Sequence, residues 1–263
     1  MTARALSACA IAAALLAGQT GARAQGVPLD DSDLSDTWGQ ALLDLTNTSL
    51  NGYDFSRITL NADITLSSTL NGLKLGTYDY AARNGTGSDI DISTMRFGRS
   101  DGTDAQRTVA INNPYFEWVY SGTPGTSDRQ VVGMRLGFGG ITGDIGLQMN
   151  TVSGSLVINT DSGTVNSAND TALGGKRWDG LAGCASCTIP LSAIGGVTAG
   201  DANGASRDFF ISLLKTALTF PTTNADVGAP ATAQAGFWLN WTDRLKANNT
   251  TGVVPPNVPK TGP

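Results

Sequence analysis

The chain has 263 residues, with 22 acidic side chains against 17 basic ones, a formal charge of -5, 33 Gly and no His. The acidic balance, with no basic cluster, argues against nucleic acid and anionic lipid as partners. The missing His removes Ser-His-Asp and Cys-His catalysis, c-type haem attachment and His-ligated zinc.

The N-terminus reads as an export signal. Arg4 precedes an apolar run, Ala5 to Ala17, and Ala22-Arg23-Ala24 fits a small-x-small cleavage site before Gln25. The run is too short to span a bilayer. Cleavage would leave 25–263 and remove Cys9, Arg4 and Arg23. Cys184 and Cys187 would remain. In an oxidising compartment such close thiols form a disulfide, here a small structural staple, and the Gly-rich surroundings lack the βαβ context of a redox motif.

Leu29 to Leu66 is the stretch around which the rest of the chain is organised. Ser32 to Leu45 places Leu34, Trp38, Leu42 and Leu45 on one helical stripe behind a Ser32 or Asp33 cap. A strand at Gln40–Leu45 is the alternative. From Ile58 to Leu66, Ile58, Leu60, Ala62, Ile64 and Leu66 alternate with polar residues, the period of a half-buried strand. Further strands are expected at Leu70–Tyr80, Asp89–Phe97, Thr108–Asn112 and Tyr115–Tyr120. Asn71-Gly72 marks a turn or bulge, and Pro114 a break or an edge.

Gln130–Phe138, Ile141–Met149 and Val152–Asn159, joined at Gly139-Gly140 and Asn150-Thr151, read as an antiparallel meander. Residues 161–183 read as a polar loop. Asp208–Phe220 is a second helix candidate, with Phe209, Phe210, Leu213, Leu214 and Ala217 at helical spacing. Gly236–Trp241 is the last expected strand. Residues 248–263, with Pro255-Pro256 and Pro259, read as a flexible tail.

Leu29-x-Asp31-x-x-Leu34-Ser35-x-x-x-Gly39-Gln40, directly behind the signal, resembles the opening of a set of uncharacterised Gram-negative secreted β-rich proteins. The stretches Ile58–Leu75 and Asp89–Arg99 are similar to the same set. The resemblance covers about the first third of the chain. It implies export to the envelope, cell surface or medium, and it implies no catalytic residue.

Four constellations carry candidate chemistry. Asp89 and Asp91 share a strand face about 7 Å apart, a spacing compatible with paired-carboxylate glycoside hydrolysis and also with a solvated polar face. Asp101 and Asp104, and Asp201, Asn203 and Asp208, place oxygen atoms in or beside tight turns, where calcium or the turn itself explains them. Phe116, Trp118 and Tyr120 share one strand face, as core or as a platform for a glycan or protein partner. Cys184 and Cys187 are the disulfide pair.

The expected architecture is all-β: one domain over 25–247, a mostly antiparallel sandwich or flattened barrel with one or two short helices. An outer-membrane barrel is disfavoured, because many strands are short or broken by Gly and Pro. The expected role is that of an exported, non-enzymatic envelope or cell-surface protein that assembles with itself or with another surface component. A secreted carboxylate-based hydrolase acting on polysaccharide is the competing class.

Overall fold

The computed structural model describes residues 42–80, 85–166, 189–222 and 232–259. The signal segment, most of the first helix candidate, and Cys184 and Cys187 lie outside the described residues. The fold is all-β, with a closed six-strand barrel and additional strands.

Among the described residues thirteen strands run in order: β1 (Leu43–Leu50), β2 (Tyr53–Leu60), β3 (Asp63–Leu66), β4 (Ser68–Tyr80), β5 (Gly85–Phe97), β6 (Val109–Ser121), β7 (Gln130–Val152), β8 (Gly154–Thr160), β9 (Gly163–Asn166), β10 (Gly196–Ala199), β11 (Phe210–Leu214), β12 (Gly236–Trp241) and β13 (Leu245–Asn249). Of the first helix candidate only 42–45 lies among the described residues, with Leu42 helical; the second candidate is a strand. Leu43–Leu45 belongs to β1, and Phe210–Leu214 is β11, paired on both sides. At 208–220 apolar residues stand on both faces of the strand, Phe210 and Leu214 in the second core and Ile211 and Leu213 on the other side, which imitates a helical stripe. Beyond Leu42, the helical pieces among the described residues are 3-10 turns at Asp104–Arg107 and Leu191–Ala193.

β7 is the spine. Its 23 residues run through both dipeptides expected to be turns, so the first two strands of the expected meander are one continuous strand, while the third is β8. Along one edge β7 pairs with β6 and then β5; along the other it pairs with β11 and then β10. Gly139 and Gly140 mark a change of face. Before them Phe138 packs on the core; after them Ile141, Ile145, Leu147 and Met149 are buried in it. Gly143 then takes φ +131, a conformation that side-chain-bearing residues avoid, at the step from β11 and β6 partners to β10. Asp144 anchors the corner: Thr198 and Gln106 donate to its two oxygens at 2.6 and 2.7 Å.

The barrel closes through β7, β10, β13, β8, β12 and β11, back to β7. β8 joins β12 and β13 in parallel, so it does not lie beside β7 as a neighbour. The main core holds Ile145, Leu156, Ile158, Val197, Leu239, Trp241 and Leu245 of the barrel strands, together with Ile90 and Ile92 of β5. A second core, on the opposite face of the β6–β7–β11–β12 sheet, holds Phe55, Val119, Phe210, Leu214, Phe220 and Trp238.

β6, β2 and β1 extend this sheet beyond the barrel as a wing. Its hairpin turns at Asn51-Gly52, both in the left-handed region at φ 52 and 81, as a two-residue connection demands. β6 runs through Pro114, since its outer partner changes there from β2 to β3 and Asn113 kinks the strand at φ 46. Residues 250–259, expected to be flexible, are tied down instead. Arg96 donates to the Pro255 carbonyl at 2.9 Å, the Ser100 amide to Pro256 at 2.7 Å, and Asn257 to Phe97 at 2.8 Å.

Candidate binding face

The wing has two chemically opposite faces, set by strand alternation. Leu45, Ile58, Phe116, Leu136 and Ile211 stand opposite one another across β1, β2, β6, β7 and β11, and therefore share a face. Leu43 with Leu60, and Trp118 with Met134 and Leu213, form the flanking rows. Near the barrel this face is continuous with the main core, through Phe138, Phe209, Ile211 and Phe237. Out on the wing it is open: Leu45 is 72% exposed and Leu136 57%. The result is an apolar shelf that begins in the core and ends at β1, whose outer edge is unpaired among the described residues.

Phe116, Trp118 and Tyr120 lie on this shelf together, as alternation predicts. Phe116 and Trp118 meet edge to face at 4.4 Å, and Arg129 sits 4.6 Å over the Tyr120 ring. The even spacing from Ile58 to Leu66 also keeps one face, though as two strands broken at Asn61-Ala62, and Ile58 and Ile64 are exposed rather than half-buried.

The outermost strand, β1, pairs with β2 alone among the described residues. Its eight residues are exposed apart from the last. It contains no Lys, Arg or Pro, the groups that usually block edge-to-edge pairing.

The opposite face of the wing carries a charge cluster that the sequence reading missed. Glu117 stands between Arg57 and Arg135 in the ladder and accepts from Arg57 Nε at 2.9 Å and Arg135 Nε at 2.5 Å, one on each oxygen. Both guanidiniums lie over Tyr115, at 4.1 and 5.4 Å, and Arg135 also lies over Phe220 at 4.2 Å. Burial, and then repulsion from Arg135, push the Arg57 pKa down. Burial pushes the Tyr115 phenol up. The available signal was Glu117 itself, a lone charge between Tyr115 and Val119 on a face that alternation marks as buried.

The remaining candidates are separated. Asp89 is buried and accepts the Phe237 amide at 2.9 Å, whereas Asp91 is half-buried beside Lys74 at 3.5 Å and Asn150 at 3.2 Å. One carboxylate is sealed under β12, so the two do not line a common cleft. Arg99 takes both oxygens of Asp101, at 2.7 and 3.0 Å, and holds that carboxyl below its usual range. Asp104 pairs with Arg107 at 3.2 Å. Asp201 accepts the Asn203 amide at 2.7 Å in a tight turn, with Arg244 at 3.6 Å. Asp208 is elsewhere, accepting from Asn240, from Thr242 and from the Asp243 amide. Among the described residues no three His, Cys, Asp or Glu side chains converge to hold a metal ion.

No helix among the described residues is long and apolar enough to cross a membrane. No family model, curated protein or solved structure matches the chain.

Proposed function

We propose that this is an exported, non-enzymatic envelope or surface protein that works by assembly, through edge-to-edge pairing of β1 with β1 of a second copy. The observation that carries the reading is the unblocked β1 edge bordering the apolar shelf. Unpaired strand edges with apolar side chains associate unless something blocks them. β1 also suits its own copy. Antiparallel pairing centred on Asn47 sets Leu45 opposite Ser49 and Asp44 opposite Leu50, so no like charges meet. It also keeps both shelves on one side of the joined sheet. The signal-like N-terminus and the Leu-Ser…Gly-Gln resemblance support the exported setting.

Light scattering coupled to size-exclusion chromatography tests this. The wild-type protein should elute as a dimer or larger species, and Leu45→Lys as a monomer with unchanged far-UV circular dichroism. A wild-type monomer at high micromolar concentration, or a Leu45→Lys protein that still associates, would sink the reading.

A further inference from the structure

The charge cluster continues inward across the sheet. Arg57, Glu117, Arg135, Ser212 and Trp238 stand opposite one another in turn on β2, β6, β7, β11 and β12, all on one face. The last three are consecutive, and each buries a donor. Arg135 Nη2, Ser212 Oγ and Trp238 Nε1 have no hydrogen-bond partner among the described residues, in side chains only 3%, 1% and 3% exposed. Two of these groups can only donate, and the hydroxyl can donate as well. Buried donors left without acceptors are costly and rare.

The charge is unbalanced in the same sense. Two guanidiniums face one carboxylate, whose oxygens are both taken. Asp208, whose charge also reaches Tyr115, contacts neither guanidinium among the described residues and accepts instead from Asn240, Thr242 and the Asp243 amide. The Arg135 faces are covered by Phe220 at 4.2 Å and Phe210 at 5.0 Å, so its remaining hydrogen-bonding capacity lies in the guanidinium plane. Two guanidiniums on one contacting carboxylate, three buried donors on neighbouring strands and aromatic walls describe a receptor for a small negative group.

We propose that Arg135, Ser212 and Trp238 bind one small monovalent anion, either a halide or the carboxylate of an organic acid. A single negative charge can pair with Arg135, the less exposed of the two guanidiniums, whereas a divalent oxyanion would leave an uncompensated charge in an apolar setting. The site lies on the face opposite the shelf and is independent of β1 pairing.

The test is thermal unfolding of the purified protein at constant ionic strength, with chloride or formate replacing a bulky anion too large to enter. The wild-type melting temperature should rise saturably by a few degrees with at least one of the two, as expected for a ligand bound only by the folded state. A response to chloride alone identifies a halide site, and a response to formate a carboxylate site. Ser212→Ala, nearly isosteric, should fold and need about tenfold more anion for half the effect, the loss of one such hydrogen bond. Trp238→Phe should do the same if it folds. Sulfate should give no saturable rise. Melting that ignores chloride and formate, as a buried water at the three donors would produce, overturns the proposal. So does a response identical in wild type and Ser212→Ala.

Discussion

Asp89 fills the space beside Gly76. The two face each other between the paired residues Leu75–Ile90 and Thr77–Ser88 of β4 and β5, and a Cβ on Gly76 would overlap the Asp89 carboxylate. Gly76 also holds φ +66. From this position Asp89 accepts the Phe237 amide and ties β12 to the β4–β5 hairpin. Gly76→Ala therefore combines left-handed strain with overpacking and should cost about 2–4 kcal/mol. Urea unfolding would measure it. A loss below about 1 kcal/mol would mean that the Asp89 contact is dispensable.

Glu117 is the only carboxylate that both Arg57 and Arg135 contact among the described residues. Replacing it by Gln leaves two guanidiniums under the sheet and should destabilise by about 3–5 kcal/mol. Replacing all three charged residues by apolar ones of similar size should recover much of that loss. Denaturant titration of the single and triple variants would check it; a benign Glu117→Gln would show that water reaches the cluster freely.

Tyr115 sets an alkaline limit. Its phenol is pushed above the ordinary value of 10.0, chiefly by burial, with Arg135 and Arg57 pulling the other way. A raised folded-state pKa contributes stability that is complete below the unfolded value and is lost as pH rises through the folded one. Stability should therefore fall above about pH 10, and Tyr115→Phe should flatten that part of the pH–stability curve. An unchanged slope would place the phenol in contact with solvent.

Arg96 is the clasp on the C-terminal segment, through the carbonyls of Val254 and Pro255. Arg96→Ala should expose 250–259 to proteinase K severalfold faster than in the wild type, with the barrel left intact. Mass spectrometry of early fragments would show it, and equal cleavage rates would assign the anchoring to Ser100 and Asn257 instead.

Alternation was the legible part of this fold. It set Phe116, Trp118 and Tyr120 on one face, and Gly236–Trp241 was expected as a strand with the bounds that β12 has. Asn51-Gly52 was a hairpin signal in plain view. Gly139-Gly140 misled, because Gly serves equally at a turn and at a change of face within a strand. The helical spacing at Asp208–Phe220 failed because β11 is apolar on both faces, one in the second core and one on the shelf, so polar residues do not reveal its period. Arg96 and Asn257 lie about 160 residues apart, so no local pattern could show that the Pro-rich end is fastened. The Arg57–Glu117–Arg135 row was equally hidden, since register across three strands is a tertiary property.

The parallel pairing of β8 with β12 and β13 has a kinetic meaning. Gly154 meets Leu239, and Asn159 meets Lys246, across about 85 residues of chain. β1 to β7 can form neighbouring hairpins early, but the ring cannot shut until the last strands have been delivered. Such distant pairings are slow because loop closure must precede any reward from contact. A polypeptide that emerges N-terminus first would therefore pass through a state in which the wing is built and the barrel still gapes along β8. In that interval Leu156, Ile158 and Val165 would be the residues most in need of a chaperone.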